Sequence, residues 1–239
     1  MSLGLPKKIS PDPLLSSTVE LRFTSDLSSE ETLTLLRPKY MGEFPKLSKR
    51  DIATQKNDRP ELEYIAEYVL SGTDYHIFLD KNVIAFENIG AYHLWDSYYT
   101  LIQEKLKVLA DTIPIKSIQR IGLRYVRFFP TTDEFSEVLK FNFNAPIEGY
   151  TLENELFRTL LCRDDIKILL NLAKNAQIER NNNVVKGVVI DIDVSQEGKL
   201  PSSIGYELFD IIDQLHTQEK IFFFSLLRED FLEKMTIDY

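Results

Sequence analysis

Cysteine, histidine and glycine are all scarce in this chain: one, three and nine among 239 residues. The single Cys162 excludes an internal disulfide, and with so few histidines the ligand count for a structural zinc site is missing, so no metal is expected. No glycine-rich phosphate loop, catalytic triad or nucleophile elbow occurs, and no cofactor is expected. Long hydrophobic runs are lacking too. None approaches the roughly 20 residues that span a bilayer, and no N-terminal run resembles a signal peptide. A cytoplasmic protein with no membrane partner is the expectation. Positive charge is in deficit: 28 Lys and Arg against 37 Asp and Glu give a net charge of −9, which opposes attraction to a phosphate backbone. Nucleic acid is therefore not an expected partner. Met1-Ser2-Leu3 is readable as an expression scar.

Apolar residues, by contrast, are plentiful. They make up 44% of the chain, and fifteen Phe and eleven Tyr supply large core pieces. The chain is long enough for two halves, residues 1–135 and 136–239, packed together as one compact unit. After an entrance broken by Pro6, Pro11 and Pro13, Thr18 to Phe23 alternates apolar and polar as a half-buried strand does. Ser28 and Ser29 before Glu30 and Glu31 cap a helix over residues 29–37. Met41 to Pro60 shows no period and reads as a mobile loop. Residues 61–70, 74–80 and 83–89 form three strands at hairpin spacing, an antiparallel meander. Trp95, Tyr99, Ile102, Leu106 and Leu109 mark one apolar helix face.

In the second half, Val138 to Phe143 reads as a strand, Leu152 to Leu161 as a helix, and Ile166–Ile178 and Val184–Val194 as strands around Arg180-Asn181-Asn182-Asn183. A helix with Ile204, Leu208, Ile211 and Leu215 follows, and Ile221 to Met235 reads as a last helix because its second part is rich in helix formers. The pattern predicts an α+β protein with curved, mainly antiparallel sheets packed against helices. Both halves read strand, helix, strands, helix, an order that admits an internal duplication.

One run stands apart from this acidic background. Arg120-Ile121-Gly122-Leu123-Arg124-Tyr125-Val126-Arg127-Phe128-Phe129 is strand-like and carries three guanidinium groups. Alternation puts Arg120, Gly122 and Arg124 on one face and Ile121, Leu123, Tyr125 and Arg127 on the other. Gly122, lacking a side chain, leaves a notch between the two arginines. In Ile190-Asp191-Ile192-Asp193-Val194 the two carboxylates share a face while the apolar residues point to the core. Three readings are open for Arg120, Arg124, Asp191 and Asp193: ordinary cross-strand ion pairs on a solvated face, a cavity for a small anionic ligand, or a metal site built on the two aspartates.

These pieces, taken with Val19-Glu20-Leu21-Arg22-Phe23, the helix opening Trp95-Asp96-Ser97-Tyr98 and His216 ahead of a Phe-rich helix, resemble a group of sporadically distributed, uncharacterised bacterial proteins of similar length. That group shares an Arg-Ile-Gly-Leu-Arg-Tyr core motif. The resemblance spans most of the chain and implies a cytoplasmic protein, with no activity to carry over; Leu14-Leu15 stands where the group has a Pro-Ile pair.

Other constellations are weaker. Glu61-Leu62-Glu63-Tyr64-Ile65 is similar to the Glu-x-Glu-x-Lys signature of triphosphate tunnel phosphohydrolases, but Ile65 stands at the lysine position. His76 and His93 flank a strand and His216 sits near a helix end; no two have ligand spacing. Cys162 has Arg158 and Arg163 nearby but no base, and reads as a packed thiol. The sequence thus predicts a non-enzymatic binding or regulatory module with a protein partner or a small anionic ligand. An enzyme using the two arginines and two aspartates is the alternative, and it requires them to meet in a concave pocket.

Overall fold

The structure is a computed structural model and describes residues 4–50, 66–90, 94–130, 135–140, 155–180 and 183–239. In chain order these form β1 (Lys8–Ser10), β2 (Leu14–Thr24), α1 (Ser29–Tyr40), β3 (Lys46–Lys49), β4 (Tyr68–Ser71), β5 (Tyr75–Asp80), β6 (Val83–Asn88), α2 (Leu94–Thr112), β7 (Ser117–Phe129), α3 (Phe135–Val138), β8 (Glu155–Arg163), β9 (Ile166–Arg180), β10 (Asn183–Gln196), α4 (Tyr206–Leu226), α5 (Glu229–Leu232) and β11 (Thr236–Asp238). The class is α+β with mainly antiparallel sheets, as the sequence predicts. The chain divides into two compact units built from non-consecutive segments.

One unit comprises Ser16–Leu123 and Ser195–Leu215. Its strand order is β3-β4-β5-β6-β2-β7. In β2 the alternation buries Val19, Leu21 and Phe23 and leaves Glu20 and Arg22 on the other side. The expected meander is present from Tyr68 onward: β4, β5 and β6 pair antiparallel, with Tyr68 opposite Leu79 and Tyr75 opposite Asn88. Residues 61–65 lie outside the described residues, with Glu61, Glu63 and the phosphohydrolase-like signature. The stretch read as a mobile loop instead forms a turn and then β3, whose Leu47 pairs with Leu70; residues 51–60 lie outside the described residues.

Helix α1 starts as its sequence dictates. Ser28 accepts from the Glu31 amide, and the Glu31 carboxylate accepts from the Ser28 amide, a reciprocal cap that also holds the Glu31 pKa below its ordinary value. The helix runs three residues beyond the expected end, through Pro38 to Tyr40. Tyr40 is buried, and its hydroxyl donates to the Lys105 carbonyl at 2.8 Å, which ties down that last turn. In α2 the buried stripe is Tyr98, Ile102, Leu106 and Leu109. Trp95 and Tyr99 lie at its margin, where the Trp95 indole donates to Asp213 and the Tyr99 hydroxyl to the Phe209 carbonyl.

The other unit comprises Met1–Leu15, Arg124–Val194 and His216–Tyr239. Its larger sheet runs β7-β10-β9-β8, and β1 pairs with β11 separately. The segment read as a helix over 152–161 is the strand β8. Leu156 and Leu160 have helical spacing, but equally the period of a strand, and the turn decides: Asp164 and Asp165 close a tight hairpin, with Asp164 at φ 54°, and bring Arg163 opposite Ile166. Val138 is likewise helical in α3 rather than the start of a strand, and Leu139 makes only an isolated bridge to Leu227; residues 141–143 lie outside the described residues. The last helix is no separate element. α4 runs unbroken to Leu226, because Leu208, Ile212, Leu215, Phe223 and Leu226 continue one buried stripe; α5 and β11 follow. Met1-Ser2-Leu3, His93, Leu152, Asn181 and Asn182 also lie outside the described residues.

Candidate functional site

The polar face of β7 holds the candidate arginines, and each is engaged by a carboxylate. The Arg120 guanidinium donates to Glu20 of β2 at 2.7 Å, and Glu197 stands 4.0 Å from its Nε. Glu20 also accepts from Arg22, so one carboxylate serves two guanidiniums. The notch predicted at Gly122 exists, and Arg120 itself fills it: a β-carbon at position 122 would lie 2.7 Å from the Arg120 Cζ. Arg120 is held flat along its own strand, with its side chain 11% exposed.

Arg124 meets Asp191, the ion-pair reading among the three that the sequence leaves open. Its Nε and Nη2 donate to the two Asp191 oxygens at 2.7 and 2.8 Å, a bidentate pair. Asn171 of β9 adds a third bond, donating to the same carboxylate at 3.1 Å. The resulting row crosses β7, β10 and β9. Asp191 is buried, while the Arg124 side chain is 48% exposed. Asp193, two residues along β10, is half-buried and also engaged in an interaction. The sequence does not single out Glu20 or Asn171, because periodicity places a residue on a face but does not say which strands are neighbours.

On the opposite face of β7 lies a cluster with more energy at stake. Arg127 is buried and donates through Nη1 and Nη2 to the Glu219 carboxylate of α4, at 2.5 and 3.0 Å. Glu219 is 0% exposed. The guanidinium lies 3.8 Å from the Phe223 ring centre and 4.9 Å from that of Tyr125, so aromatic faces contact the cation as well as the carboxylate. His216, one helical turn before Glu219 and beside Tyr125, completes the group. Burial pushes its imidazole down to about 3, and the Lys220 and Arg127 charges act in the same direction. His216 is thus a neutral core residue in mid-helix, not a cation at a helix end.

Other candidates fall elsewhere. Cys162 is exposed on β8 rather than packed, because β8 is the last strand of its sheet and one of its faces is open. His76 lies in β5, where burial lowers its pKa. Among the described residues, no group of three or more His, Cys, Asp and Glu is placed to hold a metal ion, and no helix is long and apolar enough to cross a membrane. Chemically, the Arg124–Asp191–Asn171 row is a neutralised pair with a donor amide, and the Arg127 cluster is a sealed one. The sequence matches no protein-family model and none of the curated proteins.

Proposed function

We propose that the chain is a non-enzymatic binding module, acting by presenting surface to a protein partner rather than by chemistry in a cleft. The observation that supports this reading most is the pairing of both motif arginines with carboxylates, Arg120 with Glu20 and Arg124 with Asp191. An incoming phosphate or carboxylate would have to displace a partner of its own charge, held in bidentate geometry at Arg124. Exposed apolar side chains on β8 add support: Leu156 is 83% and Leu160 58% exposed, on the face that Arg158 shares. Within this reading, Arg-Ile-Gly-Leu-Arg-Tyr is a structural signature: two arginines for two carboxylates, a glycine that leaves room for the first guanidinium, and a tyrosine in the core. Kinship with the uncharacterised bacterial group that shares the motif, and a cytoplasmic setting, belong to the same proposal.

The second reading, a small anionic ligand, is favoured by the half-exposed head of Arg124 next to Asn171. Calorimetric titration with pyrophosphate, ATP and citrate, with and without magnesium, separates the two. The binding-module reading predicts no saturable heat at millimolar ligand. Saturable binding that disappears in Arg124→Ala would overturn it.

A further inference from the structure

Edge strands expose a row of unpaired backbone donors and acceptors, and most proteins guard them with short length or outward lysines. β3, which ends the strand order of its unit, follows that rule: four residues with Lys46 and Lys49 exposed. β8 does not. It is nine residues long, ends its own sheet order, and among the described residues has no strand on its outer side. Its open face carries Leu156, Arg158, Leu160 and Cys162, all exposed.

We propose that β8 pairs antiparallel with β8 of a second copy of this chain, with Thr159 on the two-fold axis. The inference rests on the binding-module reading and names its partner. A two-fold perpendicular to the sheet joins open face to open face, so residues of the same face must stand opposite each other. With Thr159 at the centre, Glu155 stands opposite Arg163 of the partner subunit, Leu156 opposite Cys162 of the partner subunit, Phe157 opposite Leu161 of the partner subunit, and Arg158 opposite Leu160 of the partner subunit. Opposite charges meet at both ends, Leu156 and Phe157 find apolar partners inside them, and the Arg158 stem lies along Leu160 of the partner subunit beside the central threonines. Shifting the axis by one residue to Arg158 would set two guanidiniums face to face, which is unfavourable. Within one subunit Glu155 already pairs with Lys174 at 3.3 Å, so the partner's Arg163 would complete a network of two cations around a carboxylate. The strand is therefore self-complementary in charge in this register.

The test uses the full chain. Sedimentation equilibrium should show a dimer at tens of micromolar, and Leu160→Arg, which sets like charges opposite Arg158 of the partner subunit, should weaken it at least tenfold. Register is read by cross-linking in a Cys162→Ser background: opposite residues on antiparallel strands have α-carbons about 4.5 to 5.5 Å apart, within disulfide reach. Thr159→Cys should give an oxidised dimer, and Leu161→Cys, displaced from its own copy by four positions, should not. A chain that is monomeric at every concentration, or one that cross-links through position 161 and not 159, overturns the proposal. A monomer that binds no small anion would leave the binding-module reading standing. A dimer that binds ATP through Arg124 would remove that reading and keep the pairing.

Discussion

Arg127 and Glu219 each interrupt an apolar stripe of their own element, and the structure joins the two interruptions into one buried pair. Removing one partner strands a charge that has no access to water. Arg127→Leu should therefore lower the unfolding free energy by about 3 to 5 kcal/mol in urea titrations, and the double variant Arg127→Leu with Glu219→Leu should recover most of that loss. His216 in the same cluster makes a pH prediction. Its folded pKa, about 3, lies below its unfolded value, so between pH 6.5 and 3 the unfolded chain takes up a proton that the folded chain refuses. The stability tied to neutral His216 is complete above about pH 7, falls as pH drops below about 6.5 by on the order of 1 kcal/mol per unit, and falls no further below about 3. The difference in stability between wild type and His216→Phe, followed from pH 7 to 4, should show that slope. At this scale half of the pair was legible: the alternation put Arg127 on the apolar face of its strand. Glu219 could have been found as the one acid on the stripe running from Leu208 to Phe223, but the strand and the helix are 92 residues apart in sequence, and no local period links them.

At the scale of elements, a strand can fail in two ways when a side chain is added to a glycine, and this chain offers both. A β-carbon at Gly122 meets only the far end of the Arg120 side chain, which can swing away at the cost of its bond to Glu20. At Gly187 of β10 it meets the Phe129 carbonyl and lies 2.8 Å from the tip of the Phe128 ring, where backbone must move. Gly187→Ala should thus destabilise by more than Gly122→Ala, about 2 kcal/mol or more against about 1, as compared by urea midpoints. The turn between β8 and β9 gives another comparison. Asp164 has φ 54°, so Asp164→Gly should be neutral or mildly stabilising, whereas Asp164→Val should cost about 1 kcal/mol. The strands with clear alternation, β2 and β7, and the long helix α2 were readable because one face of each is buried and the other is not. β8 was not readable: as an edge strand it buries neither face fully, so its leucines carried no strand signature, and two aspartates rather than a glycine make its turn.

For the whole molecule, the composition spoke truly about class and was silent about assembly. The α+β class follows from alternating runs interleaved with helical stripes, but the two compact units divide inside β2, β7, β10 and α4, a division that no composition shift along the chain marks. The candidate site was half legible for the same reason: alternation put Arg124 and Asp191 among the candidates, with ion pairing as one of three open readings, while Glu20, which took Arg120, was not among them. The central claim is that the arginines of the Arg-Ile-Gly-Leu-Arg-Tyr run serve the fold. Residues kept for ligand binding commonly sit in poor local environments, and replacing them leaves stability unchanged or raises it. Residues that complete internal ion pairs do the opposite. The direct measurement is the unfolding free energy of Arg120→Leu and Arg124→Leu against wild type in urea at pH 7. A loss in both, about 1 to 3 kcal/mol for the more buried Arg120 and up to about 1 kcal/mol for the half-exposed Arg124, is the predicted result; unchanged or increased stability in both would contradict it.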